Sequence, residues 1–139
     1  VHDIFLLSPW VDMKYQMAIK SLALIKYYLE DNGYKSEIID CAHHASDLSD
    51  VIPRLKKTEN PIIGITAYTR ERFHAYDLIK KIRAEIPGSF IVVGGRHFGY
   101  LAEETLTELP EVDIVVRGEG EITFKEICDA VHNNGGFEN

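Results

Sequence analysis

Two apolar runs that stop at glycine hold most of the chemistry open to this chain. Val92-Val93-Gly94-Gly95-Arg96-His97-Phe98 is followed by Val115-Val116-Arg117-Gly118-Glu119-Gly120-Glu121. In each, a strand pattern ends where glycine lets the backbone approach a ligand closely. His97 stands beside the first glycine pair, placed either as an axial metal ligand or, more simply, as a polar loop contact. Glu119 and Glu121 could serve as acid and base, but Glu121 opens a helix, where a carboxylate is favoured anyway. Arg70 and Arg72 start another helix and either meet solvent or reach a ligand tail. Cys41, His43 and His44 form a compact soft cluster, yet one loop with three such residues lacks the fourth ligand of a structural zinc site. Near the start, Asp12 either accepts from a ligand amide or caps the first helix. Trp10, a lone tryptophan in a loop, calls for burial against a ligand or a neighbouring domain.

A regular alternation of strand and helix patterns positions these residues. Apolar strands are expected at 4–7, 36–40, 62–67, 90–93 and 112–116. Between them run helical stripes. The first is Tyr15, Ala18, Leu22, Ile25 and Leu29, closed by Asn32-Gly33. The second is Leu48, Val51, Ile52 and Leu55, with Pro53 tolerable only in the first turn. The third is Ala75, Ile79, Ile82 and Ile86, stopped by Pro87-Gly88; the fourth covers 101–109. The last is Phe124, Ile127, Cys128 and Val131. The predicted fold class is α/β, a doubly wound, five-stranded parallel sheet of the flavodoxin/Rossmann-like kind. Strands one, three and four are the most apolar, whereas Lys35-Ser36-Glu37 marks strand two as an edge and strand five begins at an aspartate. The order 2-1-3-4-5 follows, and ligands then bind beyond the carboxyl ends of the strands. Loops 8–13, 67–71, 94–100 and 117–121 meet there.

Bulk properties narrow the function classes. At 139 residues, 45% hydrophobic and 27% charged, the chain suits one soluble domain. A formal net charge of −7 offers no basic footprint for nucleic acid. No apolar run is long enough for a membrane helix, and Cys41 and Cys128 are too few for a disulfide framework, which suits a reducing cytoplasm. A start at Val1 and a turn-rich end, Asn133-Asn134-Gly135-Gly136, suggest a domain over 1–134 with 135–139 opening a linker to something further.

Nucleotide loops fail here. Ser8-Pro9-Trp10-Val11-Asp12-Met13 contains no glycine, so a dinucleotide fingerprint or a Walker loop after strand one is excluded. Strand three ends in Thr66-Ala67, without the aspartate of a receiver domain. Two glutamates beside Gly118 and Gly120 would repel a phosphate.

What remains resembles a known family. The stretches Pro61-Ile62-Ile63-Gly64-Ile65-Thr66-Ala67, Ile91-Val92-Val93-Gly94-Gly95-Arg96-His97 and Val112-Asp113-Ile114-Val115-Val116-Arg117-Gly118-Glu119-Gly120-Glu121 are similar to the cobalamin-binding domain that precedes the catalytic barrel of many radical S-adenosylmethionine (radical SAM) enzymes. The resemblance implies cobalamin held by Ser8, Pro9, Trp10, Asp12, Thr66, Ala67, Tyr68, Gly94, Gly95, Arg96, His97, Gly118, Glu119 and Gly120. It implies no catalytic residue in this piece. The loop after strand one lacks the D-x-H-x-x-G motif of the methionine-synthase type, so cobalt is expected without a protein histidine below it. The parent enzyme implied is a methyltransferase whose C-terminal radical SAM domain carries a 4Fe-4S cluster and S-adenosylmethionine. Two other readings stand beside this one: a cofactor-free scaffold domain, with Arg96 and Tyr68 filling the shelf, or a stand-alone flavodoxin-like ligand-binding domain.

Overall fold

The computed structural model describes residues 3–10, 17–44 and 47–133, the side chains of 17–19 excepted. Each strand pattern forms: β1 (Ile4–Ser8), β2 (Ser36–Asp40), β3 (Ile62–Thr66), β4 (Phe90–Gly94) and β5 (Ile114–Val115). They pair in parallel in the order β2-β1-β3-β4-β5, so the chain reverses its direction of winding between β1 and β3. Period-two alternation splits the apolar residues between two cores. Phe5, Leu7, Ile63, Ile65, Ile91 and Val93 pack on the face covered by α2 (Ile52–Leu55) and α3 (Arg72–Glu85). Ile4, Leu6, Ile62 and Val92 pack on the opposite face, under α1 (Met17–Asp31) and α6 (Glu121–His132). Because both faces are covered, the strands read as continuous apolar runs rather than alternating ones.

The helix expected over 101–109 forms as α5 (Ala102–Glu108), and the loop expected over 94–100 contains a further short helix, α4 (Gly95–Tyr100). Gly95 takes a left-handed φ of +88°, which lets the chain leave β4 and enter a helix at once. Strand five contracts to two residues. Its start is held by backbone and side chain together: the Asp113 N–H donates to the Ile91 carbonyl at 2.9 Å, and Asp113 Oδ2 accepts from the Ile91 N–H at 2.8 Å and from Arg83 Nη2 at 2.7 Å. Leu48, expected on a helical stripe, lies ahead of α2 with φ +61°, a costly conformation held by burial of its side chain.

At the amino ends of the strands, the first and last elements are tied together. Tyr34 Oη donates to Asp129 Oδ1 at 2.5 Å, while His132 meets Asp3 Oδ2 at 2.6 Å and the Cys128 carbonyl at 2.7 Å. Partial burial lowers the His132 pKa, but the Cys128 carbonyl and the Asp3 carboxylate outweigh it and hold the value above the ordinary one. A raised folded-state pKa stabilises the fold below the unfolded value of about 6.5, and that contribution is lost as pH rises through the folded value. Thermal melts between pH 6 and pH 8 should therefore show a loss of stability with rising pH that His132→Gln removes.

Candidate functional site

Register builds a trough into the α1/α6 face. Gly64 of β3 lies opposite Val92 of β4, and Thr66 opposite Gly94, all four at the carboxyl half of the sheet. Each of the two pairs sets a glycine beside a β-branched residue, so half of the side chains that would rise there are missing. A cavity of about 360 Å³ opens over them, floored by Leu6, Leu22, Ile25, Val92 and Phe124. Gly64 is required there by close approach: a Cβ would stand 2.7 Å from Phe124 Cε2 and 3.0 Å from Leu6 Cδ2.

The mouth of the cavity is made by three loops. Thr66, Ala67 and Tyr68 follow β3; Gly94, Gly95 and Arg96 follow β4; Gly118, Glu119 and Gly120 follow β5. Two of these glycines do different work. Gly95 needs its left-handed backbone, and a Cβ there would meet Thr66 Oγ1 at 2.5 Å and the Ala67 carbonyl at 3.0 Å. Gly94 is extended, with φ −157°, so its type matters for space alone; a Cβ would reach only ordinary contact with Val116 at 3.7 Å. The turn after β3 is braced by buried Glu71, whose Oε1 accepts from the Tyr68 N–H at 3.1 Å. Burial pushes the Glu71 pKa up, against the pull of that backbone donor.

Four of the residues expected around a ligand do not line the cavity. Ser8 and Pro9 are buried at the end of β1. Trp10 packs edge-on against His74, ring centroids 4.9 Å apart, on the α3 side of the sheet. His97 is 3% exposed and turned to the same side, with Nε2 2.6 Å from Tyr76 Oη and Nδ1 3.2 Å from Thr69 Oγ1. Burial first, then the Arg72 charge, lowers its pKa. Asp12 falls outside the described residues, as does the expected linker 135–139. The soft cluster also disperses. Cys41 is buried and its thiol pushed up to about 12 by burial and by Asp40 and Asp50. His43 faces Asp40 at 3.3 Å and His44 faces Asp50 at 2.6 Å. Among the described residues no group of His, Cys, Asp and Glu is arranged to hold a metal ion.

An apolar cavity with a glycine mouth, at the carboxyl edge of a parallel sheet, fits a bulky ligand with a flat apolar part. Residues 13–128 match the family model described as B12 binding domain. The chain is a B12-binding domain. It is 41% identical over 95 residues to an uncharacterized methyltransferase of Pyrococcus horikoshii, covering 68% of this chain and 21% of the relative. It is 31% identical over 112 residues to an anaerobic magnesium-protoporphyrin IX monomethyl ester cyclase of Rubrivivax gelatinosus, covering 79% of this chain and 20% of the relative. The domain thus spans about a fifth of the length of these curated relatives. Among solved structures it resembles the radical S-adenosylmethionine methyltransferase TsrM of Kitasatospora setae, solved with cobalamin and a [4Fe-4S] cluster bound. The TM-score is 0.79 at 20% identity, over 96% of this chain and 27% of that one. That likeness shows the fold. No helix among the described residues is long and apolar enough to cross a membrane.

The residues that sequence reasoning misses are those of the B12-binding domain's cavity floor. Leu22 and Ile25 of α1 and Phe124 of α6 look like ordinary core in a helical stripe. One signal was available: Gly64, alone inside Ile62-Ile63-Gly64-Ile65, marks a place where another group comes close to a strand.

Proposed function

We propose that this domain binds cobalamin with the nucleotide tail in the cavity and the corrin over its mouth, with no protein histidine beneath cobalt. The cavity carries this reading, because its size and lining suit the tail. About 360 Å³ is too small for a corrin and ample for a flat bicyclic base, and its floor offers that base only apolar side chains. Thr66, Ala67, Gly94 and Gly95 keep the mouth low, so a broad disc can rest against backbone. Tyr68 and Arg96 border the cavity without filling it, which speaks against a cofactor-free scaffold. The absence of histidine from the lining supports the ligation mode, and residues 11–16 contain no histidine either. Bound cobalamin would supply a methyl carrier, and the chain's residues would hold and orient it.

The parent protein on this reading is a radical SAM methyltransferase, and this domain its cobalamin holder. The relative named a methyltransferase supports that, together with the likeness to TsrM. The relatives named as cyclases favour a second reading, in which the parent closes a ring instead. Either way the partner is a radical SAM domain on the same chain with its own cluster.

Hydroxocobalamin mixed with the purified domain should co-elute with it on gel filtration with a shifted absorbance spectrum. Protein that emerges colourless refutes binding. The cob(II)alamin complex of uniformly 15N-labelled domain should show no splitting from labelled nitrogen in its electron paramagnetic resonance spectrum. Such splitting would establish a protein ligand on cobalt and overturn the ligation mode.

A further inference from the structure

We infer that His97 is a positioning residue for the cofactor site, a clamp that fixes the loop after β4 against the loop after β3 and so sets the width of the cavity mouth. The inference rests on the proposed cobalamin reading and deepens it. His97 does not touch the cavity, yet it follows two residues that line it, Gly95 and Arg96, and bonds to the turn that continues from Ala67 and Tyr68. Its backbone N–H donates to the Ala67 carbonyl at 3.3 Å, its Nδ1 lies 3.2 Å from Thr69 Oγ1, and its Nε2 lies 2.6 Å from Tyr76 Oη on α3. Phe98 packs at 5.3 Å across the ring. One side chain therefore joins α4, the turn over Thr69–Glu71 and α3 at the point where two of the three mouth loops begin.

Burial and the Arg72 charge favour a neutral ring in the clamp. A neutral ring donates from one nitrogen and accepts at the other, and the Thr69 and Tyr76 hydroxyls can each take either role. Burial raises the Tyr76 pKa, so it remains a phenol able to donate. Protonating His97 makes both ring nitrogens donors, which the two hydroxyls still accept, but sets a charge in a buried place near Arg72. The charged groups around it do not favour protonation. Arg72 of α3 bears directly on the ring, and Glu108 of α5 acts on Tyr76 rather than on His97. A lowered folded-state pKa means the stabilisation of the closed arrangement is full above about 6.5 and is lost as pH falls through the folded value.

The test measures cobalamin affinity from pH 7.5 to 5.5 for the wild-type chain, His97→Gln and His97→Phe, with circular dichroism melts as a fold control. Wild type should weaken as pH falls toward 5.5, by no more than about tenfold per pH unit, the limit for one linked proton. His97→Gln, which keeps hydrogen bonding but cannot titrate in this range, should bind nearly as wild type at pH 7.5 and lose the slope. His97→Phe should bind more weakly at every pH. Protonation of the cofactor's own base appears equally in all three and cancels in the comparison. An identical pH profile in wild type and both variants overturns the clamp. Hydrogen exchange of the cofactor-free wild-type chain gives an independent reading that needs neither variant. Residues 66–71 and 94–100 should exchange faster at pH 5.5 than at 7.5 after correction for intrinsic rates, and equal protection overturns the inference. Absence of cobalamin binding at pH 7.5 would instead refute the proposed function, and the exchange measurement would still judge the clamp.

Discussion

Gly94→Leu is expected to strip cobalamin from the domain while leaving its fold in place. Gly94 is extended, so a larger residue adopts its backbone without strain, and the first added atom meets Val116 only at van der Waals distance. The rest of the side chain must enter the cavity that Gly94 lines. Overpacking a filled site costs about 1–3 kcal/mol, which is roughly a ten- to hundredfold loss of affinity. Equilibrium titration with hydroxocobalamin reads that loss, and a melt of each protein should show midpoints within a few degrees, as about 1 kcal/mol moves a domain of this size. Unchanged affinity would show that the cofactor does not use this cavity.

Gly95→Ala should damage both properties, and that contrast is the informative one. The left-handed φ of +88° costs an L-residue roughly 1–2 kcal/mol. The new Cβ would also stand 2.5 Å from Thr66 Oγ1, and the backbone atoms of Ala67 at 3.0 and 3.2 Å cannot swing aside as a side chain can. A fall in melting temperature on the order of 10 °C follows from a few kcal/mol in a domain of this length. Cobalamin affinity should fall with it, because the strand-to-helix turn that displaces Thr66 carries the mouth of the cavity. A melt unchanged by Gly95→Ala would mean the loop relaxes into another turn, and the account of Gly95 would fail. Neighbouring glycines in one motif thus serve separate ends, one for space and one for backbone direction.

Much of the architecture was legible because it rests on local physics. Ile62-Ile63 and Phe90-Ile91-Val92-Val93 are β-branched runs without polar alternation, which requires cover on both faces and so a central place in the sheet. Lys35-Ser36-Glu37 could not be buried on both sides, and β2 is at an edge. The glycine-ended strands likewise marked the rim, and the loops after β3, β4 and β5 do come together there. Less legible were features where one side chain replaces a pattern. Asp113 takes the Ile91 N–H with its side chain beside a β5 of two residues, and the loop expected over 94–100 winds into α4 directly from β4.

By itself, then, the sequence determined the strand order, the carboxyl edge as the glycine-lined rim, and the loops that border it. Hydrophobic period and glycine placement are properties of neighbours along the chain. Tertiary structure decided which face of the sheet holds the cavity and which rim residues look into it. Arg96 lines the mouth, while adjacent His97 is turned to α3 and bonded to Tyr76 and Thr69. Trp10 packs against His74 on the α3 side of the sheet. Such choices depend on which helix lies across the sheet from each residue, and the partners involved are far apart in sequence. The trough over Gly64 exists only because Leu6, Val92 and Phe124 are brought around it.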